Sequence, residues 1–101
     1  MPVVCIIRLS TLFFPYWIVL DALVLNYALT LEFLENAFYQ GALAQFDNKI
    51  FADAGFPPWV RKRFEEIAAH EATHVQLLSD VLGDQATQPC NYSLCVFVFI
   101  G

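Results

Sequence analysis

The sequence predicts an all-α fold built on one long antiparallel helical hairpin. Three observations predict it. Ala22 to Gln40 contains no Gly or Pro, and Pro57 to Leu82 reads as a second long helix with Gly83 behind it. Within the second helix, Phe64, Ile67, Ala68, Val75, Leu78 and then Val81 or Leu82 recur at helical spacing. Folding the two helices about a turn near Ala52 or Asp53 levels Glu32 with Glu71 and His74, to within about 3 Å along the axis at about 1.5 Å per residue.

Composition narrows the class. The chain has 101 residues, enough for one small domain. It is 58% hydrophobic and 15% charged, against roughly 45–50% and 25% in an average soluble protein. Such a chain is a membrane protein, part of a larger core, or one half of an oligomer. The net charge of −5 excludes a nucleic-acid partner, because the only basic run is Arg61-Lys62-Arg63, a solvated helical turn. All ten acids lie between Asp21 and Asp84, so a polar-patterned middle stands between two apolar ends.

In chain order, residues 1–20 form an apolar extension carrying one charge, Arg8. The run from Leu9 to Leu20 is shorter than the roughly 20 apolar residues of a membrane span. A signal or membrane-anchor role for residues 1–20 is one expectation, with a secreted or cell-surface location attached to it. An irregular extension is the other. Asp21 is read as the N-cap of the first helix, which continues to about Asn48 and is apolar nearly all round, as a helix buried on all sides is. Ile50 to Phe56 is read as the connection, with Gly55 as its breaker. Pro57-Pro58-Trp59 opens the second helix, where the first turn's N–H groups have no partner to lose. The hairpin domain is thus 21–83, and 84–101 is a C-terminal loop and apolar tail. Leu94 to Ile100 has strand composition but no partner strand. The sequence permits a Cys90–Cys95 disulfide without requiring it, and Asn91-Tyr92-Ser93 fits the N-glycosylation pattern.

The chemistry centres on the second helix. Glu71 and His74 are three apart, so they share a face, and that face is the apolar stripe. An unpaired charge buried there is costly, and a metal ion or a partner carboxylate relieves it. Glu32 on the first helix is level with them, and Glu35 fits nearly as well. Tyr39 lies two turns beyond Glu32 on the same side. His70 shares the polar side with Arg63, Glu66 and Thr73 and is read as solvated. One hairpin brings two carboxylates and one imidazole. Two hairpins bring four and two, the donor set of a dinuclear iron or manganese centre in a four-helix bundle. Oxygen-rich donors with one nitrogen per ion suit iron or manganese.

Glu32-x6-Tyr39 followed by Glu71-x-x-His74 resembles the first half of the ferritin-like, rubrerythrin-like bundle. More narrowly, residues 25–35, 55–61 and 67–75 resemble the ferritin-like domain of fungal stress-response and plant desiccation-related proteins. The resemblance covers roughly Asp21 to Tyr92. It implies metal ligation by Glu32, Glu71 and His74, with Glu66 as an accessory carboxylate and Tyr39 bonded to a ligand carboxylate, while Glu35 remains a candidate on its level alone. It also implies iron or manganese as cofactor, and an oxidase or ferroxidase type of activity where the bundle is complete. The family's second helix pair has no counterpart after Gly83. The expected partner is therefore a second copy of the chain or another helix pair, with a dinuclear site formed only across that dimer. The alternative is a structural or interaction module that keeps the fold without metal.

Overall fold

A computed structural model of the chain describes residues 16–94. Helix α1 runs Tyr16–Gln45, α2 Asn48–Asp53 and α3 Pro58–Leu82, followed by one 3-10 turn at Gly83–Gln85. No strand occurs among the described residues. The first and third helices pack along their length as an antiparallel pair. Arg61 near the start of α3 meets Leu43 and Phe46 at the end of α1, and Asn26 near the start of α1 meets Gln85 beyond α3.

Two boundaries differ from the sequence expectation. Helix α1 begins at Tyr16, ahead of Asp21, so residues 16–20 belong to the hairpin and not to an irregular extension. Asp21 is an exposed residue inside the helix, where its carboxylate stays in water and caps nothing. At the other end α1 stops at Gln45, and the connection holds its own short helix. The Asp47 side chain accepts a hydrogen bond from the Ile50 N–H at 2.9 Å and caps α2.

The end of α1 is secured from α3. The Arg61 guanidinium donates to the carbonyls of Phe46 (2.9 Å) and Leu43 (3.1 Å), and also pairs with Glu65. These carbonyls are among those a helix end leaves without intrahelical partners, and a cation is favoured at that pole. Helix α3 starts as its sequence indicates, with Pro57 as N-cap and Pro in the first turn. It stops at Gly83, whose φ of 55° lies where side chains are strained.

The core is thin. Leu29, Ala68 and Leu82 are the buried hydrophobic residues among those described. At the closed end of the hairpin, Phe64 and Phe51 add ring contacts with Tyr39 and Phe56, at centroid separations of 5.9–6.0 Å. Leu82, not Val81, continues the α3 stripe inward, since Val81 is 63% exposed. No described helix is long and apolar enough to cross a membrane, and residues 1–15 of the suggested anchor lie outside the described part.

Beyond the 3-10 turn the chain is irregular to Leu94. It is held to α1 by Asn26, whose amide donates to the Gln85 carbonyl at 2.8 Å and accepts from the Thr87 N–H at 2.7 Å. Cys90 is disulfide-bonded. Cys95, the suggested partner, and the suggested strand lie outside the described residues. Asn91 is exposed.

Candidate metal centre

The cluster forms because two helices present polar residues where each would otherwise be apolar. On α1, Glu32 follows the fully buried Leu29 by three residues and shares its face. On α3, Glu71 follows buried Ala68 by the same interval. His74 is one further turn along and sits at the rim. Side-chain exposure grades accordingly: 13% for Glu71, 22% for Glu32 and 51% for His74.

These three residues each present one donor atom, and the three atoms lie within 4.8 Å of one another. His74 Nδ1 is 3.3 Å from Glu32 Oε2 and 3.7 Å from Glu71 Oε2. Both carboxylate oxygens are buried and neither has a hydrogen-bond partner. Burying such an oxygen without a partner is unfavourable. A cation placed among the three donors removes both deficits together. Two carboxylates and one imidazole also match the donor preference of manganese and iron. The residues therefore fit one metal ion. They do not by themselves supply donors for two.

The electrostatics carry the same signature. The Glu71 carboxyl is raised above its ordinary value of 4.5, first because its protonated form can hydrogen-bond the Glu32 side chain, then through burial and the repulsion of Glu32, with Glu35 and His74 acting the other way. Glu35 is raised too, by burial first and then by the charge of Glu71. Its carboxyl thus belongs to the same electrostatic group, although it lies outside the three-donor cluster. Glu35, Glu71, Tyr39, Leu34, Phe38 and Leu94 line one open cavity of about 430 Å³ beside the cluster.

Two further residues named from the sequence fall elsewhere. Glu66 is exposed and pairs with Arg63 at 2.7 Å, away from the three donors. Tyr39 reaches the cavity, but its ring packs on Phe38 and Phe64. Among the described residues its hydroxyl bonds no carboxylate. His70 is exposed, as its place on the polar side suggests. Sequence reasoning missed Asn36, which lies one turn beyond Glu32 and has a buried, unpartnered side-chain oxygen. The signal available was its four-residue spacing from Glu32 on an otherwise apolar face.

The chain matches the family model of the ferritin-like domain over residues 20–99. No curated protein and no solved structure matches it. The matched span takes in α1, α2 and α3 from Leu20 onward, together with Glu32, Glu71 and His74. On that match, and with the paired helices and the carboxylate–histidine cluster it encloses, the chain belongs to the ferritin-like domain family.

Proposed function

We propose that the hairpin binds one iron or manganese ion through Glu32, Glu71 and His74. The observation that carries this reading is the pair of buried carboxylate oxygens that face one imidazole and have no hydrogen-bond partner. A bound iron or manganese ion supplies a centre able to exchange single electrons. The chain's own residues do the rest. Glu32 and Glu71 lend the negative charge that holds a cation, and His74 adds an imidazole donor at the open rim. Glu35, beside Glu71, is placed to take the proton that metal binding displaces from the carboxylate pair.

A dinuclear version needs a second set of donors on the open, His74 side of the cluster, from a second copy or another helix pair. The likeness of residues 25–35 and 55–61 to stress-response and desiccation-related proteins supports a stress-related role for this metal site. The competing reading is a metal-free structural module in which the carboxylates share a proton. It draws on the raised Glu71, whose protonated carboxyl can hydrogen-bond Glu32 without a cation.

Metal analysis and thermal melting separate the two. A metal present at 100 times its dissociation constant stabilises the fold by about 2.7 kcal/mol, which for a domain of this size raises Tm by roughly 10–20 °C. We expect that rise with Mn²⁺ or with Fe²⁺ under anaerobic conditions, at about one ion per chain, and its loss in Glu71→Ala. Purified protein without metal, whose Tm ignores both ions, sinks the reading in favour of the structural module.

A further inference from the structure

We propose that Asn36 is a fourth donor to the cation, so that each long helix grips the ion with a pair of residues: Glu32 and Asn36 from α1, Glu71 and His74 from α3. The proposal rests on the metal reading of the cluster and extends it by one ligand. The observation behind it is the side-chain oxygen of Asn36, which is buried and has no hydrogen-bond partner.

The helices put that oxygen in the right place. Asn36 comes two turns after Leu29, the fully buried residue of α1, and so faces α3. It comes four residues after Glu32, a spacing at which two side chains of one helix hold a single metal ion. Glu71 and His74, three apart, form the matching pair on α3. The register is fixed on both sides of Asn36. Glu32 meets His74, and Tyr39 packs on Phe64. Between those contacts Asn36 falls opposite Ala68, which is buried and takes up little room. Side chains on a helix lean toward its N-terminus. Because α1 and α3 run in opposite directions, Asn36 leans toward the turn of Glu32 while Glu71 leans toward the turn of Ala68. The donors converge from both ends.

Without a cation, an amide at this position is unfavourable. Asn is a weak helix former, and burying its carbonyl without a partner is costly. The buried oxygens of Glu32 and Glu71 are acceptors as well and cannot relieve it. The buried Tyr92 hydroxyl, which could donate, bonds none of them. Nor is the amide N–H of Asn36 spent on Glu32, whose buried oxygen has no partner. One cation satisfies all three oxygens together. The donor set becomes three oxygens and one nitrogen. The two carboxylates balance a divalent charge and the amide carbonyl adds none, a combination that suits Mn²⁺.

Two measurements on the full chain test the assignment: Mn²⁺ titration followed by electron paramagnetic resonance, and melting of the metal-free protein. Asn36→Leu keeps the branched shape and removes the oxygen. We expect it to weaken Mn²⁺ binding about tenfold or more. Its metal-free Tm should match or exceed that of wild type, since the unpartnered oxygen is gone. At a Mn²⁺ concentration about 100 times the wild-type dissociation constant, the metal-induced rise in Tm should then shrink to about half. Asn36→Asp returns an oxygen and adds a charge. It should bind Mn²⁺ at least as tightly as wild type, and its metal-free Tm should be lower. Unchanged Mn²⁺ affinity in Asn36→Leu overturns the fourth donor and leaves the three-donor site standing. A wild type that binds no Mn²⁺ overturns both. If Asn36→Leu lowers the metal-free Tm or fails to fold, Asn36→Asp decides: binding weaker than wild type makes the amide structural and overturns the proposal.

Discussion

Glu71 is the residue on which the proposed metal site turns, because its carboxyl is the most buried of the three donors. Its carboxyl is raised above 4.5 in the folded chain. Between that value and the raised one, the fold binds a proton that the unfolded chain has released. The stability this contributes is complete below about 4.5 and is lost as pH rises through the raised value. In the metal-free protein, Glu71→Gln keeps a hydrogen-bond donor facing Glu32 at every pH. Melting curves from mildly acidic to neutral pH should therefore show wild type falling relative to Glu71→Gln as pH rises. A difference that is flat, or that grows toward acid, contradicts the shared proton. Added metal should reverse the ranking at neutral pH, since the amide cannot replace the carboxylate as a charged donor.

At the scale of elements, the two long helices were legible for different reasons. Helix α3 is amphipathic, so its register, its Pro start and its Gly83 stop could all be read from spacing. Helix α1 is apolar nearly all round, so its sequence shows that it is a helix without showing which side meets α3. Only Glu32, levelled by counting from the turn, gave its orientation. The start of α1 was misjudged because Asp21 looks like a cap, whereas a solvated carboxylate within an early turn fits equally well. Helix α2 was missed although Asp47 supplied its capping signal, because six residues are too few to show periodicity. Asn26 could not have been read at all. Its partners are main-chain atoms of Gln85 and Thr87, and no side chain announces them. Asn26→Ala removes both bonds and should cost about 1–3 kcal/mol. Urea titration checks the value, and a loss below a few tenths would mean that the segment beyond α3 is held by something else.

At the scale of the molecule, the described residues enclose little interior for their length. Among the described residues, three buried apolar side chains cannot anchor two helices of this size, and twelve large hydrophobic residues remain exposed. The hairpin therefore depends on specific ties to a degree that a thicker fold does not. Those ties sit at its two ends. Arg61 grips the end of α1 from one side of the turn, and Asn26 grips the chain beyond α3 at the other. The cluster of Glu32, Glu71 and His74 lies between them.

That placement has a mechanical consequence. A two-helix bracket fastened at both ends is held closed over its middle, and the middle is where the three donors converge. Slowest amide exchange should therefore centre on residues near Leu29 and Ala68, the two most deeply buried side chains. Releasing either fastening, by Asn26→Ala or Arg61→Ala, should quicken exchange at midspan as well as at the released end. If the change stays local to the mutated end, the helices bend independently and the bracket picture fails. If it spreads, the span between Asn26 and Arg61 behaves as a spring whose tension sets the gap between the three donors.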